Sequence, residues 1–238
     1  LGKLYLEKCL KSIKKIDYDN LEIIVVDNNS SDNTVNIAKE LGATVIEKKI
    51  NKGYTDSCML GFKESLKTDS NIVSLIDSDG TFSPNDLKKM LPYLENCDMV
   101  VGTRQVQTLT EKGNQNSMFY VWGNMLLAKL LQLKYFSLLH LGIVQLTDVG
   151  CAYRCVRRDA LEKIIDELTN PTDTSILKPK NWLFSLYMTM LAIENDLKIV
   201  EIPLTFRKRG VGESKSEVTK KSKGFVYGMK FLWFILKR

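Results

Sequence analysis

The chain has 238 residues, of which 44% are hydrophobic and 26% are charged, and its formal net charge is +6. A chain of this length and composition buries a sizeable core and suits one large α/β domain. Its five cysteines are an odd number scattered along the sequence, which argues against a disulfide framework and favours a reducing compartment. No uninterrupted apolar run reaches the roughly 18 to 20 residues of a membrane-spanning helix, so we expect a soluble or peripheral protein.

Strand-like apolar runs alternate with helical segments through the first half of the chain. Helices are predicted over residues 4–16, 31–41, 53–68 and from Ser83 onward, and strands over residues 21–27, 43–47, 71–77 and 99–104. This alternation predicts an α/β fold with a mainly parallel sheet flanked by helices, whose ligands bind beyond the carboxyl ends of the strands. Asp27, Asp77 and Arg104 lie at such ends. Because a helix opens the sequence with no strand before it, we also expect a further strand upstream of Leu1.

The second half of the chain is less regular and ends in a basic segment. Its predicted elements are helices over residues 116–133, from Arg158 and over 182–195, a strand over 197–206, a glycine loop over 210–216 and a basic, aromatic helix over 221–238. Residues 207–238 carry ten Lys or Arg against two Glu, whereas the preceding 206 residues sum to −2. This asymmetry predicts an anionic partner such as membrane headgroups or phosphates, and the absence of an RNP-like or zinc-finger pattern argues against nucleic acid. An interfacial membrane helix is the preferred interpretation of the tail, and packing on the rest of the chain is the alternative.

Two carboxylates, Asp77 and Asp79, flank Ser78 at the tip of a predicted strand. Carboxylates this close repel each other, so a cation or hydrogen-bond donors must compensate them. Mg²⁺ or Mn²⁺ suits the position, because it prefers oxygen ligands and takes only one or two of them from protein. An isolated Asp-x-Asp is more often a solvated turn, but here Asp27 and the polar run that follows it lie at the same predicted sheet edge.

Several spaced motifs resemble those of family 2 glycosyltransferases, in the same order along the chain. They are Val25–Thr34 (VVDNNSSDNT), Asn51–Gly53 (NKG), Asp77–Asp79 (DSD) and Val101–Arg104 (VGTR). A second block is similar to the polyprenyl-phosphate branch of that family, whose best-known members are dolichol-phosphate mannosyltransferase-like enzymes. It comprises Asp148–Arg154 (DVGCAYR), Arg157–Leu161 (RRDAL), Glu201–Leu204 (EIPL) and Arg209–Lys215 (RGVGESK).

The resemblance implies a GT-A fold, a GDP- or UDP-linked sugar donor, inversion at the anomeric carbon, and Mg²⁺ or Mn²⁺ held by Asp79 and Asp77. The residues it assigns to nucleotide-sugar binding are Asp27, Asn29, Lys52, Asp77 and Arg104. Those assigned to phosphate or acceptor binding are Arg154, Arg209, Ser214 and Lys215. The candidate catalytic residues are Asp77, Asp79 and Asp148, of which Asp148 is a base, an acceptor-orienting group or a loop cap.

Three positions depart from the family pattern on the acceptor side. Tyr187 stands where relatives carry an acid, and Asn116 and Tyr120 stand where mannosyltransferases bring Arg and Ser toward the acceptor phosphate. A hydroxyl acceptor gains roughly 10² to 10⁴ in rate from a general base. A phosphate monoester needs none, because its second pKa near 6 leaves it largely dianionic at about pH 7. The departures therefore favour a phosphate acceptor without settling its identity.

We therefore expect an inverting glycosyltransferase that moves a sugar to a polyprenyl phosphate, at the cytosolic face of a membrane and peripheral to it. The alternatives are a hydroxyl acceptor in cell-surface polysaccharide or glycolipid synthesis, a sugar-phosphate nucleotidyltransferase, and a non-catalytic nucleotide-sugar-binding protein. The expected organisation is a catalytic domain over residues 1–218, with a nucleotide-sugar-binding half (1–104) and an acceptor half (105–218). Residues 219–238 form the proposed membrane-interface helix.

Overall fold

The computed structural model describes residues 2–18, 20–105, 109–111, 118–136, 145–172, 183–208 and 221–238. In this part of the chain, the helices are α1 (Gly2–Ile13), α2 (Thr34–Glu40), α3 (Tyr54–Ser65), α4 (Leu87–Met90), α5 (Met118–Lys134), α6 (Arg158–Thr169), α7 (Phe184–Glu194) and α8 (Lys221–Lys237). The strands are β1 (Ile24–Asp27), β2 (Thr44–Glu47), β3 (Ile72–Leu75), β4 (Met99–Thr103), β5 (Arg154–Arg157) and β6 (Ile199–Pro203). Two short 3₁₀ segments, Pro84–Asp86 and Leu91–Glu95, flank α4.

The first two strands form a small parallel sheet of their own. Ile24 pairs with Thr44 and Asp27 with Glu47, and α2 is the crossover between the two strands. A separate apolar cluster covers this sheet, with Leu6 and Leu10 of α1 packed against Ala38 and Ala43. The predicted β-turn-α-β unit is therefore present in the structure.

The remaining strands form a four-stranded sheet in the order β3-β5-β4-β6. β4 and β6 are parallel, whereas β5 runs antiparallel to both β3 and β4. The α/β prediction is confirmed, but the sheet is mixed rather than mainly parallel. β5 lies outside the predicted strands because its first and last residues, Arg154 and Arg157, interrupt the apolar run that is typical of the other strands.

The main core lies between the larger sheet and helices α3, α6 and α7. All five residues of β4 are buried, and α7 is buried over Phe184–Ala192, as expected of a helix that is apolar around most of its circumference. All five cysteines are buried free thiols that pack as small apolar side chains.

A cleft of about 2230 Å³ separates the two sheets. Unbroken runs of residues, 21–28 and 68–79, line it. Because successive strand residues point to opposite faces, such runs mean that the edges of β1 and β3 border the cleft. Helix α3 packs against both strands and so connects the two sheets. The carboxyl ends of β1 and β3 open into this cleft.

The C-terminal helix α8 packs beside α5 and closes part of the core. Phe234 and Ile235 are buried in the main cluster, whereas Phe225 and Trp233 are exposed. Arg238 anchors the end of the chain to Glu167 of α6 and Glu194 of α7. Within the described residues, none of the helices combines the length and the hydropathy needed to span a bilayer.

Candidate active site

The cleft brings together polar side chains from the ends of three strands. Asp27, Asp77, Asp79 and Arg104 all line it, although Asp27 follows a strand of the smaller sheet and the other three follow strands of the larger one. An aromatic group formed by Phe82, Tyr153 and Phe206 lines the same cleft. The site thus combines anionic groups and an arginine with an apolar wall.

Asp27 ends β1 and organises the turn that follows. Its side chain is buried, and Oδ2 accepts a hydrogen bond from the Ser30 backbone N–H at 3.0 Å. Asn28 reaches across to the second loop: its Oδ1 accepts from the Lys52 N–H at 3.2 Å, and its Nδ2 donates to Asn51 Oδ1 at 2.7 Å. The motifs that begin at Asp27 and at Asn51 therefore form one hydrogen-bonded wall of the cleft.

The Asp77–Asp79 turn forms the opposite wall. Asp79 Oδ1 accepts hydrogen bonds from the backbone N–H and the hydroxyl of Thr81, at 3.0 and 2.6 Å. Gly80 has a φ of +81°, in the left-handed region, and the Tyr5 ring lies so close that an added Cβ would be 2.7 Å from it. Burial, together with the charges of Asp79 and Asp77, raises the pKa of the Cys9 thiol to about 11.

The donor set at this turn fits a divalent cation. Two carboxylates from one turn supply the one or two hard oxygen ligands that Mg²⁺ or Mn²⁺ takes from protein, and diphosphate and water complete the shell. Among the described residues, no cluster of three or more His, Cys, Asp or Glu side chains forms a closed metal cage. Asp77 and Asp79 are the residues that would hold such a cation at this turn.

Arg104 and Asp148 form a bidentate ion pair at the cleft wall. Arg104 Nε lies 2.6 Å from Asp148 Oδ2, and Nη2 donates to Oδ1 at 2.8 Å. Although burial favours the protonated carboxyl, the charge and hydrogen bonds of Arg104 outweigh it, and they lower the pKa of Asp148 with help from Asn124 and Gly150. A carboxylate engaged in this way is a weak base, so the structure favours an orienting role over proton abstraction for Asp148.

Glu201 supports this pair from the neighbouring strand. Its carboxylate accepts hydrogen bonds from the Thr147 N–H and hydroxyl and from the Asp148 N–H at 2.7 to 3.0 Å. Burial raises the pKa of Glu201 despite these donors. Sequence reasoning quoted Glu201 in a motif but gave it no role, and it passed over Asn124, whose Nδ2 donates to Asp148 Oδ1 at 2.6 Å. The available signal was a carboxylate within the otherwise apolar strand β6.

Arg154 and Tyr187 are placed differently from the sequence-based expectation. Arg154 is wholly buried, and its guanidinium donates to the backbone carbonyls of Ala152, Cys151 and Ser185. This placement argues against direct contact with a phosphate, because the side chain holds the loop before β5. Tyr187 is also buried, away from the cleft lining, and its hydroxyl donates to the Glu167 carbonyl at 2.6 Å. It therefore does not occupy the position of a general base.

The other predicted site residues fall into two groups. Tyr120 lines the cleft, whereas Asn29 and Lys52 are exposed and are not among the lining residues. Asn29 has a φ of +65°, as the tight turn after β1 requires. The predictions for Arg209, Ser214, Lys215 and Asn116 lie outside the described residues.

Comparison with known proteins assigns this arrangement to a family. The model for glycosyl transferase family 2 matches residues 3–165, which is more than half of the chain. The chain is a family 2 glycosyltransferase. This confirms the resemblance drawn from the motifs, and it assigns the polar cleft to an enzyme that transfers a sugar.

Relatives of this glycosyltransferase include enzymes named for polyprenol substrates. It is 29% identical to the polyprenol monophosphomannose synthase of Mycolicibacterium smegmatis over 202 residues, covering 82% of this chain and 70% of that one. It is 26% identical to the undecaprenyl-phosphate mannosyltransferase of Micrococcus luteus, covering 82% and 75%. The dolichol-phosphate mannosyltransferase of Pyrococcus furiosus is 28% identical, and the match covers 82% of this chain and 51% of that protein.

Solved structures confirm the GT-A fold of this glycosyltransferase. Glucosyl-3-phosphoglycerate synthase from Mycobacterium tuberculosis, in complex with phosphoglyceric acid, superposes with a TM-score of 0.63 at 17% identity, covering 99% of this chain and 75% of that one. A complex of the same enzyme with Mn²⁺, uridine diphosphate and glucosyl-3-phosphoglycerate gives a TM-score of 0.62 at 19% identity, with the same coverage. At these identities the likeness concerns the fold.

Proposed function

We propose that this glycosyltransferase moves a sugar from a nucleotide-sugar to a polyprenyl phosphate, with inversion at the anomeric carbon. The names of three relatives, two of bacterial and one of archaeal origin, support this substrate class. The observation that carries the proposal within the structure is the engagement of Asp148. Asp148, the candidate base in the sequence, is bound by Arg104 and Asn124 and is not among the residues that line the cleft, and a phosphate acceptor needs no base.

In this proposal, one wall of the cleft binds the nucleoside of the nucleotide-sugar, and the opposite wall binds its diphosphate. Asp27, with Asn29 and Lys52 in the adjoining loops, is proposed to hold the nucleoside. Asp77 and Asp79 would hold Mg²⁺ or Mn²⁺, which supplies Lewis-acid neutralisation of the leaving diphosphate when bound. Arg104, fixed by Asp148, adds a planar guanidinium beside the same phosphates.

The acceptor end is proposed to use the glycine loop that follows β6. Arg209, Ser214 and Lys215 combine a guanidinium fork, a hydroxyl and a mobile ammonium, a set suited to phosphate oxygens. The acceptor phosphate attacks the anomeric carbon from the face opposite the leaving diphosphate, which gives inversion. Residues 1–218 would form the catalytic domain with its donor and acceptor halves, and residues 219–238 the helix that contacts the membrane. The enzyme would act peripherally at the cytosolic face, where lipid phosphates are exposed.

The test is product analysis by mass spectrometry. Purified protein is incubated with each of a panel of GDP- and UDP-sugars, Mg²⁺ or Mn²⁺, and a short polyprenyl phosphate. The expected product is a glycosyl polyprenyl phosphate that forms with one donor, disappears when the metal is chelated and is absent with Asp79→Asn. Transfer to a non-lipid hydroxyl, with none to the polyprenyl phosphate, would contradict the proposal.

A further inference from the structure

Two side-chain amides lie beside the Arg104–Asp148 ion pair, and both residues line the cleft. Asn124 belongs to α5, and Gln105 follows Arg104 directly after β4. Asn124 Nδ2 donates to Asp148 Oδ1 at 2.6 Å, and the same oxygen accepts from Arg104 Nη2 at 2.8 Å. Asn124 and Arg104 therefore share one carboxylate oxygen, and Gln105 is the next residue after Arg104 in the chain.

The contact with Asp148 fixes the orientation of the Asn124 amide. An ionised carboxylate only accepts hydrogen bonds, so it must face the amino group of the amide rather than its carbonyl oxygen. Asn124 is partly exposed at the cleft, and among the described residues none donates a hydrogen bond to its Oδ1. The carbonyl oxygen of Asn124 is thus left as an acceptor for a ligand.

The amide of Gln105 also has an acceptor without a donor. Its Oε1 is enclosed by protein and receives no hydrogen bond from the part of the chain that the structure describes. Leaving an enclosed polar atom unpaired costs free energy, and most such atoms in folded proteins have partners. Because the torsion that turns a glutamine amide is soft, Oε1 can turn toward the cleft and accept a hydrogen bond from a ligand there.

The backbone that carries Gln105 is fixed by a chain of hydrogen bonds. The Gln105 N–H donates to Thr103 Oγ1 at 3.2 Å, and Thr103 Oγ1 lies 2.8 Å from Thr147 Oγ1. The Thr147 hydroxyl donates in turn to Glu201 at 2.7 Å. The main chain is therefore held before a ligand binds, and only the side-chain amide has to adjust.

The chemistry of the two acceptors selects the ligand group. A carbonyl oxygen needs a donor, and the ionised oxygens of a diphosphate or an acceptor phosphate are themselves acceptors. Sugar hydroxyl groups are donors. The rings of Phe206 and Phe82 line the same cleft, and the Arg104 guanidinium lies 5.4 Å from the centre of the Phe206 ring. These rings give the C–H groups of a sugar an apolar wall beside the polar acceptors, a combination typical of small-molecule sites.

We propose that Asn124 and Gln105 are specificity-determining residues that bind hydroxyl groups of the transferred sugar through their side-chain carbonyl oxygens. The inference rests on the proposed function, because it assigns these amides to the sugar of the donor whose diphosphate lies beside Arg104. A site that accepts a hydrogen bond from a hydroxyl discriminates against the same sugar without that hydroxyl, since the amide oxygen then stays unpaired. The two residues thus select the donor sugar.

The test compares the binding of two ligands by isothermal titration calorimetry, with Mn²⁺ and without an acceptor. The first ligand is whichever of GDP-mannose, UDP-glucose and UDP-N-acetylglucosamine the parent binds, and the second is the matching nucleoside diphosphate. Gln105→Leu should bind the nucleotide-sugar about tenfold more weakly, the usual effect of leaving one buried hydrogen-bonding group unpaired. It should bind the nucleoside diphosphate as the parent does, because that ligand has no transferred sugar. Gln105→Met is a second replacement of similar length and should behave in the same way.

Deoxy analogues of the same donor identify the hydroxyl groups. The effect of Gln105→Leu should disappear with one analogue that lacks a single sugar hydroxyl, because the partner of the amide is then already absent. Asn124→Leu also removes a hydrogen bond to Asp148, so the deoxy series is the decisive measurement for this residue. Its effect on nucleotide-sugar binding should likewise be smallest with one deoxy analogue.

Stability separates ligand binding from a structural role. Gln105→Leu should keep or raise the midpoint of urea denaturation, because it removes an acceptor that the protein leaves unpaired. Gln132→Leu is the matched control on α5, outside the cleft lining, where Gln132 Nε2 donates to the Leu146 carbonyl at 2.9 Å. It should lower the midpoint and leave both affinities unchanged.

The calorimetry also distinguishes the other possible ligands of Gln105. Equal weakening of both ligands by Gln105→Leu would assign the amide to the nucleoside and overturn the inference, and so would unchanged binding of both. A parent that binds none of the three donors would overturn this inference and the proposed function together. Donor binding that depends on both amides, with no transfer to the polyprenyl phosphate in the product analysis, would contradict the proposed function alone.

Discussion

At the scale of single residues, the Asp77–Asp79 turn places two carboxylates in the cleft. Asp79→Asn keeps the shape of the side chain and its hydrogen bond with Thr81 while it removes a charge. We expect kcat to fall by roughly 10² to 10³, the usual effect of losing one group that stabilises developing charge. Steady-state kinetics at saturating Mn²⁺ measures this.

Asp166→Asn is the matched control for that substitution, because Asp166 is an exposed carboxylate on α6, outside the cleft lining. Its kcat should equal that of the parent. A similar decrease in both variants would show that the turn carries no special role.

The prediction for Asp148 concerns stability rather than kcat, because this carboxylate pairs with Arg104. Asp148→Asn leaves a largely buried guanidinium without its counter-charge, which costs about 3 kcal/mol in the free energy of unfolding. Urea denaturation measures the loss. Asp159→Asn is the control, because it breaks the exposed Arg157–Asp159 ion pair. It should leave the midpoint of urea denaturation unchanged. A variant Asp148→Asn that is inactive but fully stable would instead restore the general-base interpretation.

The pH dependence of the Asp148 pair follows from the direction of its shift. The pKa of this carboxyl is lower in the folded protein than its ordinary value near 3.8. A lowered acid pKa contributes stability above the unfolded pKa, and that contribution is lost as pH falls through the folded value. The stability difference between parent and Asp148→Asn should therefore be constant from pH 5 to pH 7 and shrink below about pH 4. Urea midpoints measured across this range provide the check.

At the scale of elements, two glycines in α8 differ in what surrounds them. A Cβ at Gly224 would lie 2.5 Å from the Tyr120 ring, whereas nothing lies within 4 Å of one at Gly228. Gly228→Ala should raise the free energy of unfolding by about 0.5 to 1 kcal/mol through helix propensity. Gly224→Ala should lower it by about 1 kcal/mol or more through overpacking against α5. Thermal and urea unfolding of the two variants test the parallel packing of the helices, and equal effects would contradict it.

Most of the helices and strands could be predicted from the periodicity of apolar residues in the sequence. The exception is β5, and its absence from the prediction has a physical cause. Strands at 24–27, 72–75 and 99–103 fall inside the predicted runs because most of their residues are apolar. β5 was missed because Arg154 is buried, and its guanidinium donates to three carbonyls that come together only in the folded protein, two in the loop before β5 and one in α7. The pattern of apolar residues in a sequence indicates which side chains are buried. It does not indicate which polar side chains form hydrogen bonds inside the protein.

The same limit of the apolar pattern explains which residues of the site could be predicted from the sequence. Asp27, Asp77 and Arg104 line the cleft, and they could be proposed from the sequence because strand ends are visible in it. The partners of Asp148 were not foreseen, since Asn124 and Glu201 lie on α5 and β6, far away along the chain. Tyr187 was placed at the acceptor side by alignment with relatives, and only the packing of α7 revealed its burial.

At the scale of the whole molecule, Arg238 joins three helices at the end of the chain. Its guanidinium pairs with Glu167 and Glu194 and lies 5.1 Å from the centre of the Tyr187 ring. Arg238→Ala should therefore loosen α8 from the body, with a stability loss of about 1 to 2 kcal/mol after allowance for the partial exposure of the carboxylates. Hydrogen exchange within residues 221–237 should accelerate by about tenfold, since roughly 1.4 kcal/mol corresponds to a factor of ten.

Lys39→Ala is the control, because both side chains of the Lys39–Glu47 ion pair are exposed. Exchange in α8 should be unchanged in this variant. If Arg238→Ala also left it unchanged, the apolar contacts of Phe234 and Ile235 would be sufficient to hold the helix.

The cleft between the sheets also leaves the backbone edges of two strands, β1 and β3, facing each other. Among the described elements, β1 pairs only with β2, and β3 only with β5. Each strand therefore turns a row of backbone N–H and C=O groups toward the cleft, and such a row is a template for pairing with another strand. A single strand seated there would be hydrogen-bonded on both sides and would join six strands into one continuous sheet of seven. The wall that carries Asp27 and the wall that carries Asp77 would then be held in fixed register by one peptide backbone.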